Sequence, residues 1–232
     1  MTLTRFPRKP FTLSIVCTIL LIVANKNSFG QYGYENVDNK FYVSLSPFAL
    51  IDALDYPSLR ISTDVKVYKH FSISVEGALY SLLRTAFYKE NVTGFAIKPC
   101  IKYYFNRQKI MNGLFIALEY QYKQEHYHLS DTIVSAGNGY YKTYGMTRYI
   151  NCVNIKMGEV ENFRKRWILE WFAGIGIRYF NSFTDLSDQE YDGIIYNEKY
   201  ANTSMTGIQV REVGHHTYPN ITLGLKLGYR LW

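Results

Sequence analysis

The sequence predicts an all-β fold, an eight-stranded antiparallel up-and-down transmembrane β-barrel. Beyond residue 40, apolar and polar residues alternate with a period of two, which is the pattern of strands with one apolar face. Aromatic residues make up 17% of the 232-residue chain, and 22 of them are Tyr; such rings suit the interface between membrane and water. Beyond residue 30 there is no run of 18 apolar residues, so strands rather than helices would cross the membrane.

The first 30 residues are predicted to be a cleaved secretory signal. Arg5, Arg8 and Lys9 precede a mainly apolar stretch at 11–24, and Ser28-Phe29-Gly30 offers small residues at the positions that a signal peptidase reads. A helix over the apolar stretch is about 21 Å long, which is too short for a bilayer core of ~30 Å. This length argues against a transmembrane anchor.

Cleavage would leave an N-terminal periplasmic segment at 31–40 and the barrel at 41–232. The whole chain has 26 Lys and Arg against 19 Asp and Glu, but four of the bases and none of the acids belong to the signal, which leaves 22 against 19. Because these charges form no basic block, nucleic-acid binding is not expected. Only Cys100 and Cys152 follow the signal, so one disulfide is possible and the sequence leaves open whether it forms. The two cysteines do not form a CxxC motif for a zinc or redox site. No cofactor is expected.

Eight segments show strand-like alternation, and an even number returns both ends of a barrel to one side. The third has Ser72, Ser74 and Glu76 opposite its apolar set, and the sixth is the least regular because Arg148 and Asn151 blur its faces. The predicted strands are, in order, residues 41–50, 58–69, 71–82, 93–105, 114–128, 142–157, 167–180 and 221–231.

The predicted connections alternate in length. Those on one side have about two, eight and nine residues, whereas those on the other side have about 7, 10, 13 and 37. Short periplasmic turns and longer external loops are typical of outer-membrane barrels. The longest loop, 181–217, is either a mobile solvated loop or a surface that recognises an extracellular ligand.

Aromatic residues cluster at both ends of the predicted strands, which predicts two girdles around an aliphatic band. The short-turn girdle would contain Phe41, Tyr68, Phe71, Tyr103, Phe105, Trp167, Tyr229 and Trp232. The outer girdle would contain Tyr80, Tyr127, Tyr144, Tyr179 and Phe180.

Several runs of this pattern resemble the small eight-stranded outer-membrane β-barrels of Bacteroidota, a domain family of unknown function, and more distantly the OmpA-type barrels. The runs are residues 94–98, 102–105, 113–116, 169–178 and 227–232. The resemblance covers nearly all of the chain after the signal, and it implies an architecture rather than an activity. It also implies outer-membrane lipid, lipopolysaccharide and the barrel assembly machinery as partners, with the assembly signal in Leu231 or in Trp232, which is out of phase with Tyr229.

The polar faces of the predicted strands are rich in charge. An eight-stranded barrel is filled by its own side chains, so we expect these charges to pair across the lumen and close it; a narrow gated path for ions or solutes is the alternative. The expected network contains Arg60, Asp64, Lys66, Glu76, Lys98, Lys102, Glu119, Lys123, Glu170, Arg178, Lys226 and Arg230.

Catalytic and metal sites have few candidates. Glu125, His126 and Ser130 lie near the outer end of the fifth predicted strand, and a Ser activated by a His and oriented by a carboxylate would suit an outer-membrane lipid A esterase or acyltransferase. His215 and His216 are the metal candidates, although adjacent strand residues point to opposite faces.

The leading hypothesis is an integral outer-membrane barrel with a structural or surface-interaction role and no catalytic activity. An esterase that modifies lipid A is the second. A soluble periplasmic barrel that binds lipid is the third, and it would require the apolar face to point inward.

Overall fold

The computed structural model of the chain describes residues 40–47, 49, 57–80, 89–105, 111–135, 137–162, 166–195 and 211–231. The predicted signal at 1–30, most of the segment at 31–40, and Trp232 lie outside the described residues. Eight strands follow one another along the chain: β1 (Phe41–Leu45), β2 (Leu59–Tyr68), β3 (Phe71–Leu79), β4 (Glu90–Tyr104), β5 (Gly113–Ser135), β6 (Asn138–Asn162), β7 (Trp167–Thr184) and β8 (Gly214–Arg230).

The strands form one closed antiparallel barrel in sequence order. The predicted all-β, eight-stranded antiparallel fold is therefore confirmed. The longest ladder joins β5 and β6, and the shortest joins β1 and β8 through four residue pairs, Tyr42↔Arg230 to Leu45↔Leu227.

The pairing is staggered around the barrel. Following paired residues from Val43 on β1 through each neighbouring strand leads to Pro219 on β8, but Val43 itself pairs with Tyr229, ten residues further along β8. A stagger of this size in eight strands requires a tilt of about 40° from the barrel axis. Each strand residue then rises about 2.4 Å along that axis.

Alternation places charged residues inside and apolar residues outside. On β3, Ser72, Ser74 and Glu76 are buried while Ile73 and Val75 are exposed. The outward positions of the other strands are likewise mainly apolar, although Glu90 at the start of β4 and Glu159 and Glu161 at the short-turn end of β6 are outward charges.

At the outer end, β4 to β8 are longer than the sequence predicts, whereas β1 ends at Leu45 and not at residue 50. β5 continues to Ser135 and β6 begins at Asn138, so the 13-residue loop expected at 129–141 is wrong. Its place is taken by a tight turn, in which Gly137 has a φ of +83° that glycine adopts without strain. The polar residues that suggested a loop continue the two-residue alternation of the strands, but this segment has fewer apolar residues than the rest of β5 and β6. The predicted alternation of short and long connections therefore fails at the connection between β5 and β6.

We call residues 129–145 the hairpin extension. The ladder between β4 and β5 ends at Glu90↔His128, and the ladder between β6 and β7 ends at Met146↔Thr184. The extension thus projects beyond the barrel wall as two strands without barrel neighbours. The predicted loop 181–217 is also shorter, because its first four residues belong to β7 and residues 214–217 belong to β8.

The predicted girdles have different outcomes. At the short-turn end Tyr68, Phe71, Tyr103 and Tyr229 are exposed on the outer surface. At the other end Tyr80, Tyr127, Tyr144 and Phe180 are buried, so four of the five expected ring positions are wrong. The phase explains the error, because these four share the inward phase of the charged residues. The outward aromatics near this end are Phe95, Tyr120, Tyr122, Tyr149, Tyr179 and Phe183.

One short helix, α1 (Asp188–Asp192), follows β7. Ser187 caps it, accepting a hydrogen bond from the Glu190 N–H while the Glu190 carboxylate accepts one from the Ser187 N–H. This reciprocal capping stabilises a helix that is too short to form alone. No helix in the described part of the chain is long and apolar enough to cross a membrane.

Candidate functional site: the charged lumen and its outer cap

In the lower lumen, which is the part nearer the short turns, a charge network joins side chains from four strands. The Lys102 ammonium on β4 lies 2.7 Å from Asp64 Oδ1 on β2 and 2.8 Å from Glu170 Oε2 on β7. The Tyr42 hydroxyl on β1 donates a hydrogen bond to Glu170 Oε2 at 2.9 Å. All four side chains are buried. One lysine therefore bridges two carboxylates and ties opposite walls of the barrel together.

Two further ion-pair groups fill the middle of the lumen. Glu76 lies between Lys226, at 2.8 Å, and Lys98, at 3.0 Å. Glu119 pairs with Lys156 of the neighbouring strand. The buried ion pairs of the lower and middle lumen thus join four lysines to four carboxylates. Since a buried charge without a partner costs several kcal/mol, this balance is what allows so much charge to be enclosed.

Phe172 organises the lysines of the middle lumen. Its ring lies 4.2 Å from the Lys156 ammonium and 5.7 Å from that of Lys226, at cation–π distances. The ring fits because small residues surround it: a Cβ at Gly224 would lie 2.2 Å from Phe172 Cζ, and one at Gly158 would lie 2.8 Å from Phe172 Cβ. Glycines on the lumen wall therefore make space for a large aromatic ring.

Another charge group lies nearer the outer end. Glu125 binds Lys89 at 2.8 Å and Lys123 at 3.0 Å. The two ammonium groups also lie over buried rings, Lys89 at 3.9 Å from Tyr127 and Lys123 at 4.3 Å from Tyr80. These are rings that the sequence assigned to an outer girdle. Their position in the lumen gives them an electrostatic role in place of a membrane contact.

Apolar groups close both ends of the charged column. At the short-turn end the buried cluster consists of Tyr42, Cys100, Tyr104, Met111, Phe115, Ala117, Val160 and Ile168. At the outer end it consists of Tyr127, Leu129, Ile133, Tyr144, Met146, Leu186 and Ile194. Cys100 and Cys152 are both buried and form no disulfide.

The outer cluster is held by hydrogen bonds among Arg211, Asp131 and Tyr144, which we call the latch. Arg211 donates two hydrogen bonds to Asp131, from Nε at 2.8 Å and from Nη2 at 2.5 Å, and the Tyr144 hydroxyl donates to Asp131 Oδ2 at 2.8 Å. Two parallel bonds between guanidinium and carboxylate give a defined geometry. The latch fastens the end of the β7–β8 connection to the hairpin extension.

Glu190 of α1 makes a second contact with the extension. Its carboxylate accepts hydrogen bonds from the Lys142 ammonium at 2.6 Å and from the Tyr140 hydroxyl at 2.9 Å. The Lys142 hydrogen bond, followed by the Ser187 N–H and the Tyr140 hydroxyl, lowers the pKa of Glu190 to about 2. The same contact raises the pKa of Lys142.

The structure places most of the predicted network residues in the lumen. Asp64, Glu76, Lys98, Lys102, Glu119, Lys123, Glu170 and Lys226 are buried there. The other four residues of the predicted network are half-buried, namely Arg60, Lys66, Arg178 and Arg230.

Sequence reasoning missed several charged residues of this column. Lys156 is in phase with Asn154 and Cys152, and that phase could have identified it as an inward residue had Arg148 and Asn151 not blurred the faces. Arg148 itself is buried and donates a hydrogen bond to Ser182. Arg211 could not be found in this way, because it belongs to a connection without periodicity.

The catalytic candidates do not assemble into a site. Glu125 is buried in the lumen, whereas His126 is exposed on the outer face. His126 Nδ1 lies 3.0 Å from Thr147 Oγ1, and Ser130 Oγ lies 2.8 Å from Thr143 Oγ1. Four residues along a strand span about 13 Å, so His126 cannot activate Ser130. Ser130 is also within β5 rather than in a loop.

The two metal candidates point in different directions. His215 Nδ1 lies 2.6 Å from the Tyr179 hydroxyl on the outer face, and His216 Nε2 lies 3.0 Å from the Val213 carbonyl oxygen. Among the described residues, no three His, Cys, Asp or Glu side chains are grouped as metal ligands.

Comparison of the chain with protein-family models, with curated proteins and with solved structures finds no match in any of the three.

Proposed function

We propose that the chain is an integral β-barrel of a bacterial outer membrane, with a closed lumen and an outer end that serves surface interactions. The observation that carries this proposal is the belt of exposed apolar side chains on the barrel. Every strand contributes to it, for example Leu45, Ile73, Ile101, Leu118 and Ile175. Soluble monomers rarely expose an apolar patch larger than a few hundred Å².

The dimensions of the belt support the same proposal. About ten residues of a strand tilted by 40° span the ~25 Å apolar band of such barrels. Tyr68, Phe71 and Tyr103 border the belt at the short-turn end, and Phe95 and Tyr179 border it at the other end. Aromatic rings at both borders are what a bilayer favours.

The arrangement of charge argues against the two alternatives. A soluble barrel that binds lipid would have an apolar interior, whereas this interior holds Asp64, Lys102 and Glu170 in contact. A lipid A esterase would need a nucleophile and a base together, whereas His126 and Ser130 are engaged with different threonines. Neither alternative gains support from the geometry.

The outer end supports a role in surface interaction. The hairpin extension rises beyond the belt, and the β7–β8 connection is fastened to it by Asp131 and Arg211. This is more organisation than a simple loop between two strands requires. We infer that the outer end is a folded recognition surface above a closed barrel.

Fractionation tests the membrane assignment. The full chain, expressed with its signal, is expected in the outer-membrane fraction, and its gel mobility is expected to change on boiling, because folded barrels resist unfolding in cold detergent. Recovery in the soluble periplasm with unchanged mobility would reject the proposal.

Cysteine labelling tests the orientation. Tyr141 lies in the hairpin extension and Lys69 in a short turn at the other end, while the two native cysteines of the barrel are buried. A membrane-impermeant maleimide is expected to label Tyr141→Cys in intact cells and to label the matched Lys69→Cys only after lysis. The reverse pattern would show that the barrel is inserted the other way.

Planar-bilayer recording tests the closed lumen. The paired charges and the apolar clusters at both ends lead us to expect no steady conductance from the purified protein. A stable open pore would contradict the closed lumen and would leave the membrane assignment standing.

A further inference from the structure

The two edges of the hairpin extension differ. On the β5 edge, residues 193–195 form an isolated antiparallel bridge, Ile133↔Ile194: the Val134 N–H donates to the Gly193 carbonyl at 2.8 Å, and the Ile195 N–H donates to the Thr132 carbonyl at 3.0 Å. This edge is closed by the chain itself. The extension therefore already accepts an extended segment along one side.

The β6 edge is open. Its last backbone bond runs from the Asp185 N–H to the Gly145 carbonyl at 3.3 Å, and Asp185 Oδ2 accepts the Gly145 N–H at 2.9 Å. Gly139, Tyr141 and Thr143 have the same alternation as Gly145, so their N–H and C=O groups point away from β5. Within the described chain no strand pairs with them. All three residues are exposed, Tyr141 by 71%.

This open edge lacks the usual protection. Natural edges are blunted by proline, by bulges or by free charges. Residues 139–143 contain no proline, their register with β5 is regular, and the one charge among them, Lys142, is engaged by Glu190. Tyr and Thr also favour strand conformation. An edge with these properties is a template for strand addition.

We propose that the edge at 139–143 binds an extended cationic peptide segment of a partner protein by strand addition. The net charge around this edge determines whether a basic or an acidic peptide is favoured. The hairpin extension and the described parts of the β7–β8 connection, residues 185–195 and 211–213, together have six acidic and two basic residues, so a basic segment is attracted and an acidic one is repelled.

Geometry disfavours a second copy of the chain as the occupant. Two copies in one membrane have β6 running in the same sense, so their edges cannot form an antiparallel pair. A two-fold axis along the membrane normal would cross the two tilted edges at about 80°, twice the strand tilt. A peptide that is free to align with the edge has neither restriction. The inference rests on the proposed function for the side of the membrane on which the extension lies and for the argument against a second copy.

Binding of a defined probe tests the proposal. The probe is a labelled eight-residue peptide that alternates Lys with Val, and the full-length protein is refolded in uncharged detergent micelles. Thr143→Pro removes one of the three outward N–H groups of the open edge, at a position where proline leaves the β5 ladder intact. The matched control Thr143→Val keeps that N–H, and both variants lose the same hydroxyl contact with Ser130.

We expect Thr143→Val to bind the probe within twofold of the unchanged protein and Thr143→Pro to bind at least fivefold more weakly. Hydrogen exchange is expected to slow at residues 139–143 when the probe binds. Equal binding by the two variants, or equal binding of a probe with Glu in place of Lys, would overturn the proposal. Dimerisation that Thr143→Pro abolishes in the absence of probe would overturn the choice of occupant. Heat-modifiable mobility of the same preparation tests the membrane assignment separately.

Discussion

The strands β5 and β6 run from the barrel wall into the hairpin extension, but different forces hold the lumen and the extension. In the lumen, each strand has a neighbour on both edges, and buried charges join opposite walls, as Lys102 joins Asp64 and Glu170. In the extension, one edge is open and the contacts are partly exposed, such as that between Lys142 and Glu190. The ladder between β5 and β6 is therefore held by neighbouring strands on both sides in the barrel, whereas one of its edges is open in the extension.

Removal of a lumen charge should have the largest effect. Lys102→Met leaves Asp64 and Glu170 buried without their shared cation, so the free energy of unfolding is expected to fall by about 3–5 kcal/mol. Urea unfolding in micelles, followed by tryptophan fluorescence, measures it. The control Lys142→Met removes a more exposed pair in the extension and should cost less than about 1 kcal/mol. Equal losses would mean that the two regions do not differ as described.

Filling the lumen wall should have the next largest effect. Gly224→Val places side-chain atoms against the Phe172 ring and is expected to cost about 1–3 kcal/mol through overpacking. At Gly77 an added Cβ meets no atom within 4 Å, so Gly77→Val should be tolerated in the same unfolding assay. A loss at Gly77 as large as that at Gly224 would reject the tight packing around Phe172.

Opening the latch should change the extension without changing the barrel. Arg211→Ala removes both hydrogen bonds to Asp131, so amide exchange at Val134 and Ile195 is expected to accelerate at least tenfold. The barrel's urea midpoint should stay nearly constant, since Arg211 is not part of the lumen. Arg211→Lys, which keeps the charge but loses the paired geometry, should give an intermediate rate. A joint change in both measurements would show that the two regions unfold as one.

The smallest effect should appear at low pH. The pKa of Glu190 is lowered to about 2 by its contact with Lys142, so the contribution of this contact is present above the ordinary glutamate pKa of about 4.3 and is lost as the pH falls towards 2. The protection factors of the amides near Tyr140, which correct for the pH dependence of intrinsic exchange, should therefore decrease as the pH falls through this window. Glu190→Gln should remove the pH dependence. A transition centred near pH 4.3 would contradict the lowered pKa.

The sequence predicts the barrel well because the two-residue period is a local signal. Glu76 and Ile73 could be assigned to opposite faces from their neighbours alone, and the structure agrees. The prediction of the outer aromatic girdle was wrong because it used the position of each residue along its strand and ignored the face to which the residue points. Tyr127, for example, shares the inward phase of Glu125.

The outer cap could not be predicted for a different reason. The contact of Arg211 with Asp131 joins residues 80 positions apart, and it depends on how a non-periodic connection folds back on the hairpin. The extension of β5 beyond His128 was missed because polar residues at its end resemble a loop when the partner strand is unknown. Long-range pairing, rather than local preference, decides both features.

The seam between β1 and β8 has a consequence for assembly. It is the shortest ladder, with four residue pairs, and it joins segments at nearly opposite ends of the barrel sequence. Contacts between distant segments have the highest entropic cost of loop closure, so they form late. The other seven ladders join consecutive strands and can grow as a curved sheet from one hairpin to the next. We therefore expect the pairing of Tyr42–Leu45 with β8 to be the closing event of barrel biogenesis, and the same seam to be where a folded barrel first opens.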